Sequence, residues 1–328
     1  MMKKNLIAAA SLLAVAGAAN AQMSLYGLID MCYGKSLYAD VILNEKADLH
    51  SGGDNGSSEC NSTTRFGLKG SYEVAAGLKA NFKLESGGIS SDGEVNGNGA
   101  FFRRAAWAGF SGSFGEVRVG RQDSVPFQMM GDFDFNGQSN GVSAGAYSGV
   151  GSWNTGRQSR SIQYIAPAMG GLSAQVGLRP KGNSQDGNKD QLSAAVKFAA
   201  GPVLLGAAFE AKSDSAIKDF SSFAASFDFG AAKVMASYAD GGFNPLGNQS
   251  KGYMLGVTAP LAGFTVGAHY ADSKDTQSVK IKSYELFINK EIFKNTYGYA
   301  ETGNWEAKAG GPTTIKGSGF SVGVIFVF

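Results

Sequence analysis

The sequence predicts an all-β fold, a transmembrane antiparallel barrel of sixteen strands. Three observations lead to this prediction. Segments of about ten residues alternate apolar and polar side chains, which is the length of a tilted strand that crosses a bilayer. Short and long connections alternate along the chain, and the chain ends on an apolar strand.

The alternation is clearest in residues 64–74, TRFGLKGSYEV. Phe66 and Leu68 fall on one face of the predicted strand, and Arg65 and Lys69 fall on the other. A period of two residues is the signature of a strand with one apolar and one polar face. The same alternation recurs in residues 78–86, 223–229, 264–270 and 284–289.

The connections supply the strand count. Seven short turns are predicted near residues 74–77, 112–115, 168–171, 200–202, 230–231, 261–263 and 293–295. Eight longer polar connections are predicted at residues 34–61, 87–100, 122–156, 181–189, 213–219, 240–250, 273–281 and 304–315. Fifteen connections join sixteen strands, and short turns on one side with long loops on the other are typical of outer-membrane barrels. A soluble β-sandwich, the alternative all-β fold, does not require this regular order.

The last strand predicts closure. Residues 320–328 read FSVGVIFVF and present an apolar face up to the final residue. An open edge of this kind would aggregate in water, and its unpaired backbone groups could not lie in lipid. We therefore expect this strand to pair with the first, residues 24–33.

The N-terminal segment has the pattern of a secretory signal peptide. Lys3 and Lys4 precede an apolar run from Leu6 to Ala19, and Ala19-Asn20-Ala21 fits the small-residue cleavage pattern. The predicted organisation is a signal peptide at residues 1–21, cleaved after Ala21, and a barrel at residues 22–328. The alternative, a buried N-terminal helix, does not account for the cleavage pattern.

The charge balance excludes one class of partner. The chain has 29 Lys and Arg against 27 Asp and Glu, and removal of Lys3 and Lys4 leaves 27 against 27. Because a nucleic-acid-binding protein usually has a basic excess, we expect no nucleic-acid partner. Any charge selectivity must come from local placement.

The two cysteines form a disulfide candidate. Cys32 ends the first predicted strand and Cys60 lies just before the second, so pairing of these strands would bring them together. Export implies an oxidising compartment, which favours a disulfide bond between Cys32 and Cys60. The alternative is two free thiols.

Enzyme signatures are not found. His50 and His269 are the only two histidines, which leaves no H-E-x-x-H motif and no multi-histidine metal site. A Ser-His-Asp set would have to use one of these two, and neither has a supporting sequence context. We expect no catalytic activity, no cofactor and no metal.

Four stretches carry a family resemblance. They are SLYGLID at 24–30, TRFGLKGSYEVAAGLKANFKLESG at 64–87, FFRRAAWAGFSGSFGEVRVGRQ at 101–122 and the terminal Phe328. Together they make the chain resemble the general porins of Gram-negative β-proteobacteria. The resemblance implies a homotrimer of sixteen-stranded barrels in the outer membrane. It also implies contact with membrane lipid and lipopolysaccharide, and a third extracellular loop that folds inward.

The resemblance also assigns candidate pore residues. By its length and by the resemblance, the connection at 122–156 is the constriction loop, whereas the alternative is a solvated surface loop. The resemblance implies a ladder of arginines on the opposite wall: Arg65, Arg104 and Arg157, with Arg160 as a rival for the last position and Arg103 adjoining. The expected acidic side comprises Asp132 and Asp134 in the loop, with Asp30 and Glu85 on polar strand faces. The alternative is that each arginine only pairs with a nearby carboxylate.

These residues predict a passive diffusion channel for ions and small hydrophilic solutes. Because the arginines outnumber the acidic residues, we expect a mild preference for anions. The alternatives are a solute-specific porin, a surface barrel with an adhesive role, and a secreted soluble β-sandwich.

Overall fold

The computed structural model describes residues 22–95, 100–153, 156–182, 189–212, 214, 216–310 and 314–328. The predicted signal peptide lies outside the described residues. Among the described residues, no helix has the length and apolar composition to cross a membrane.

Seventeen strands are described, all joined in one antiparallel sheet. They are β1 (Gln22–Lys35), β2 (Asp48–Ser51), β3 (Arg65–Ala75), β4 (Leu78–Gly87), β5 (Ala105–Gly112), β6 (Gly115–Asp123), β7 (Arg157–Ile165), β8 (Leu172–Arg179), β9 (Gln191–Ala200), β10 (Val203–Glu210), β11 (Phe220–Asp228), β12 (Lys233–Phe243), β13 (Gln249–Leu261), β14 (Phe264–Asp275), β15 (Lys280–Phe293), β16 (Thr296–Lys308) and β17 (Thr314–Val327).

The sheet closes through β1. The first half of β1 pairs with β3 and its second half pairs with β17, so that Leu28 lies opposite both Arg65 and Val327. The amide of the terminal Phe328 donates to the carbonyl of Gly27 at 3.0 Å. The short strand β2 pairs only with β1, within the first loop. The other sixteen strands form the closed wall, which confirms the predicted barrel and strand count.

The two faces of the wall differ as the alternation predicts. On β15, Tyr284 and Leu286 are exposed, whereas Ser283 and Glu285 are buried. Polar residues therefore face the interior and apolar residues face outward, the reverse of a soluble barrel. In a bilayer the outward face meets lipid.

Some strands are longer than the sequence pattern predicts. A connection was expected at residues 273–281, yet β14 continues to Asp275 and β15 begins at Lys280. That prediction is wrong because both faces of these strand ends carry polar residues, such as Ser273 and Lys274. Backbone pairing continues there without the apolar alternation that marks a strand in sequence.

The third long connection, described at residues 124–153 and at Gly156, lies inside the barrel and is called the inner loop below. It contains α1 (Val125–Met130), a 3₁₀ turn (Gly131–Phe133) and α2 (Ala144–Ser148). Hydroxyls cap both helices: Ser124 accepts the amide of Phe127, and Ser143 accepts that of Ala146.

Apolar residues hold the inner loop against one wall. The loop contributes buried side chains to a core that it shares with the inner face of β9 to β14: Val125, Met130, Phe133, Ala144, Val150 and Trp153. Small wall residues make room for them, since a Cβ added at Gly206 would lie 2.6 Å from the Phe133 ring. The inward-folded third loop is thereby confirmed as part of the fold.

Candidate pore constriction

Three ladder arginines come from neighbouring strand ends. Arg65 begins β3, Arg104 immediately precedes β5 and Arg157 begins β7. Gly87 at the end of β4 lets the Arg104 side chain cross that strand, because a Cβ there would lie 2.2 Å from the Arg104 Cδ. The chain thus brings together arginines that are far apart in sequence.

A cavity of about 450 Å³ opens in front of these arginines. Arg65, Arg103, Arg104 and Arg157 line one side of it. The rest of the lining comes from parts of the inner loop and from the end of the first loop, namely Gly56, Ser57, Asn61, Ser62 and Thr63. The inner-loop residues are Phe127, Gly137, Gln138, Ser139, Asn140, Ala146, Trp153 and Gly156. The described lining contains no carboxylate.

The arginines differ in their partners. Arg104 Nε lies 2.6 Å from Glu85 Oε1, and Arg157 Nε lies 3.0 Å from Asp123 Oδ1. Arg65 donates instead to neutral acceptors, the Ser62 hydroxyl at 3.1 Å and the Thr63 carbonyl at 3.0 Å. Arg104 and Arg157 therefore each pair with a carboxylate, whereas the described acceptors of Arg65 are neutral.

Arg103 lies between β4 and β5. Burial, together with the positive charges of Arg104 and Arg121, lowers the pKa of Arg103. A guanidinium begins from so high a pKa that it stays protonated near neutral pH. Arg103 therefore adds a fourth positive charge to the cavity wall.

Arg160, the rival candidate for the last position of the ladder, lies apart from these four arginines. It is exposed, its φ is 57°, and it is absent from the described lining of the cavity. The cause is a β-bulge: Gly120 pairs with Ser161 whereas Gln122 pairs with Gln158, so β7 holds one extra residue here. An extra residue changes which face the following side chains occupy.

None of the four residues expected on the acidic side lines the described cavity. Glu85 lies on the arginine side, where it contacts Arg104 and accepts the Tyr26 hydroxyl at 2.7 Å. Asp30 is buried and accepts the amide of Ser62 at 2.6 Å and the Tyr299 hydroxyl at 2.8 Å. It holds the end of the first loop in place.

The two inner-loop carboxylates turn toward the opposite wall. Asp132 forms an ion pair with Lys197 on β9. Asp134 is buried and accepts the Asn136 amide at 2.9 Å and the Ser143 hydroxyl at 3.2 Å. Both therefore contribute to the position of the loop rather than to the cavity surface.

Asp134, His269 and Glu285 together offer three ligand atoms within 4.8 Å of one another. The protein already satisfies these groups: His269 Nδ1 lies 2.8 Å from Glu285 Oε1, and His269 Nε2 accepts the Phe135 amide at 3.2 Å. Glu285 also accepts the Ala144 amide at the start of α2. The cluster fastens the inner loop to β14 and β15.

The sequence pattern did not identify several residues that lie at or beside the cavity. Asp123 pairs directly with Arg157 across the base of the inner loop, a position that strand register could have revealed. The neutral residues Gln138, Ser139 and Asn140 carried no such signal, because only the path of the loop brings them to the cavity.

The disulfide candidate has a definite place in the structure. Cys32 on β1 and Cys60 in the first loop are bonded, with their Cα atoms 5.7 Å apart. The carbonyl of Cys60 accepts the amide of Gly141 at 2.9 Å. The bridge therefore connects the wall, the first loop and the inner loop.

Comparisons with known proteins agree with this architecture. A family model described as Gram-negative porin matches residues 8–310. Outer membrane porin protein 32 of Delftia acidovorans is 32% identical over 312 residues, which cover 88% of this chain and 84% of the relative. An outer membrane porin of Bordetella pertussis is 29% identical over 338 residues, with 89% and 82% covered.

A solved structure, the anion-selective porin from Comamonas acidovorans, superimposes with a TM-score of 0.78 at 23% identity. The match covers 94% of this chain and all of that one, and it shows a common fold. With a closed barrel, an inner loop and a family match over most of its length, the chain belongs to the Gram-negative porin family and is a channel-forming protein of the outer membrane.

Proposed function

We propose that the protein is a passive diffusion channel for small hydrophilic solutes that prefers anions, and that the arginine-lined cavity sets this preference. One observation carries the proposal: the described lining of the cavity holds four arginines and no carboxylate. The preference is accordingly stronger than a balanced field across the pore would give.

The charged groups around the cavity support a preference for anions. Glu85 pairs with Arg104 and Asp123 pairs with Arg157 at ion-pair distance, whereas the described hydrogen-bond acceptors of Arg65 are neutral. For these three arginines, three positive charges against two negative ones leave an excess of one. Lys83 adds to it, because its Nζ lies 3.1 Å from Glu85 Oε2. A passage lined by one sign of charge raises the local concentration of the opposite ion.

The basic surface continues on both sides of the cavity. Lys69 and Lys83 lie over the Tyr26 ring, 5.1 Å and 5.6 Å from its centroid. Arg157 also lines a second cavity of about 220 Å³ that contains Arg179, Lys212 and Lys218 together with Glu210. An anion would therefore meet positive charge before and after the four arginines.

The inner loop supplies the complementary side. Gln138, Ser139 and Asn140 offer amide and hydroxyl groups that both donate and accept hydrogen bonds. Such groups replace part of the hydration of a polar solute without repelling an anion. We propose that this connection, predicted at residues 122–156, acts in this way as the constriction of the pore.

The Comamonas acidovorans protein with the same fold is described as an anion-selective porin, which agrees with the proposed preference. By the family resemblance we further propose a homotrimer embedded in outer-membrane lipid and lipopolysaccharide. The proposed transport includes no catalytic step.

The proposal is tested by recording purified protein in planar lipid bilayers under a KCl gradient. We expect a reversal potential of the sign that preferential chloride permeation produces. We also expect the conductance to rise with salt concentration, with no saturation by any single solute. A reversal potential of the cation sign would refute the anion preference. Saturation by a single solute would instead indicate a solute-specific channel.

A further inference from the structure

The first loop enters the lumen before the chain rejoins the barrel wall. β2 ends at Ser51 and β3 begins at Arg65, and residues 52–64 between them are called the lumen segment below. On β1, Met31 lies opposite Ser51 and Leu28 lies opposite Arg65, so these two strand ends are close neighbours along the wall. The lumen segment is therefore longer than this gap requires, and its residues reach the lining of the arginine-lined cavity.

Backbone hydrogen bonds join the lumen segment to the inner loop. The amide of Asn140 donates to the carbonyl of Asn61 at 2.9 Å, and the amide of Gly141 donates to the carbonyl of Cys60 at 2.9 Å. The carbonyl of Gly141 in turn accepts the amide of Leu37, near the beginning of the first loop, at 2.9 Å. Because these bonds satisfy backbone groups of both loops, the two loops form one inner surface.

A covalent bond and a carboxylate hold the lumen segment to β1. Cys60 is bonded to Cys32, both are buried, and the φ of Cys60 is 60°, a left-handed conformation that is uncommon for residues other than glycine. The amides of the next two residues, Asn61 and Ser62, both donate to the Asp30 carboxylate, at 3.1 Å and 2.6 Å. The bond therefore fixes the residue at which the segment turns toward the cavity.

The end of the lumen segment lies beside the arginine ladder. The Ser62 hydroxyl and the Thr63 carbonyl accept hydrogen bonds from the Arg65 guanidinium. The Thr63 hydroxyl also accepts the side-chain amide of Asn140 in the inner loop, at 3.3 Å. Ser62 and Thr63 thus orient the guanidinium with neutral groups, which leave its positive charge in place, and both residues line the cavity.

The cavity is therefore the meeting point of two loops. We propose that the lumen segment is a second constriction element of the pore and that the bond between Cys32 and Cys60 positions it. Ser62 and Thr63 narrow the passage and determine where the Arg65 charge lies, whereas the two cysteines act only by holding the segment. The inference rests on the proposed function in one respect, because it takes the arginine-lined cavity as the path of the solute.

Removal of the bond tests the positioning role. Cys32→Ala with Cys60→Ala should release the lumen segment and leave the barrel wall paired, which circular dichroism of the protein in detergent would verify. We expect the single-channel conductance in KCl to rise by about half, because the passage widens. In liposome-swelling measurements, the entry of a neutral trisaccharide should rise about threefold and that of a neutral monosaccharide by less than about 1.5-fold. A folded variant with the conductance and the sugar entry of the wild type would overturn the proposal.

A second pair of variants tests the segment with the bond intact. Ser62→Asp adds a carboxylate beside the Arg65 guanidinium, whereas Asn44→Asp adds the same charge at an exposed position of the first loop outside the described cavity lining. We expect Ser62→Asp to lower the anion-to-cation permeability ratio about twofold or more, since the new charge offsets that of Arg65. Asn44→Asp should leave the ratio unchanged. Equal ratios in the two variants would place the lumen segment away from the ion path and refute the proposal.

Neutral sugars separate this inference from the proposed anion preference, because their entry depends on the width of the pore and not on its charge. A wild-type reversal potential of the cation sign, together with wider sugar entry in the cysteine variant, would refute the anion preference alone. A reversal potential of the anion sign with unchanged sugar entry in that variant would refute the second constriction element alone.

Discussion

The polar strand faces on the two sides of the lumen have different surroundings. On the arginine side, formed by β3 to β7, charged side chains border an open cavity. On the opposite side, here called the anchor side, the inner loop covers the strands from β9 to β16 with buried apolar and hydrogen-bonded contacts. An inward loop can therefore cover one wall of a wide barrel and leave the other wall charged.

Hydrogen bonds fix the loop on the anchor side at several points. The Trp305 indole donates to the carbonyl of Tyr147 at 2.8 Å, and the Ser273 hydroxyl donates to the carbonyl of Ser148 at 2.9 Å. The Ser222 hydroxyl donates to the carbonyl of Ser152 at 2.6 Å. Buried backbone groups of the loop thereby find partners on the wall, as their removal from water requires.

The largest expected effect concerns Glu301 on β16. Its carboxyl group accepts four hydrogen bonds, from Asn61, Asn136, Ser139 and Ser321, at 2.8–2.9 Å. Glu301→Ala would leave buried donors without partners, so we expect the free energy of unfolding to fall by about 4 kcal/mol or more. Denaturant titration of the folded protein in detergent would measure it.

The matched control for Glu301 is Glu306→Ala, on the outer face of the same strand. The Glu306 side chain is 45% exposed and pairs with Lys316, so its loss should cost below about 1 kcal/mol. If both variants were equally destabilising, the anchor side would have no special role in holding the loop.

The second prediction concerns the link between the two sides. Wild-type protein, unfolded without reductant, should show no reactive thiol, because Cys32 and Cys60 are bonded. Replacement of both cysteines by serine opens a loop that spans a sequence separation of 28 residues. In the chain-entropy model this lowers the free energy of unfolding by about 3.6 kcal/mol. Two titratable thiols in the wild type would contradict the bond.

The third prediction concerns the arginine side. Arg65→Gln removes a charge whose described hydrogen-bond acceptors are neutral, so the variant should fold normally. We expect the anion-to-cation permeability ratio to fall by roughly twofold to fivefold, since an unscreened unit charge near the ion path contributes on the order of 1 kcal/mol in water. Reversal potentials under a salt gradient would measure it.

Arg160→Gln is the control for that experiment, because it removes the same charge from an exposed position outside the cavity. Its permeability ratio should equal that of the wild type. An equal fall in both variants would mean that overall charge, and not the cavity, determines the selectivity.

The sequence predicted what depends on local periodicity. The inward placement of Arg65 and Glu85 follows from the two-residue period of β3 and β4, which needs no knowledge of the rest of the chain. The position of Arg160 outside the cavity lining could not be predicted in this way, because the bulge in β7 adds a residue that no local sequence pattern indicates. The direction of the Asp134 side chain could not be predicted for a different reason, because it depends on the path of the inner loop.

The smallest expected effect concerns the ion pair between Asp132 of the inner loop and Lys197 of β9. The Asp132 side chain is 59% exposed, so Lys197→Gln should change the free energy of unfolding by less than about 1 kcal/mol. It nevertheless leaves one negative charge unbalanced on the anchor side. We therefore expect a fall in the anion-to-cation permeability ratio that is smaller than that of Arg65→Gln. A fall as large as that of Arg65→Gln would show that the anchor side contributes equally to the field, and the division between the two sides would not hold.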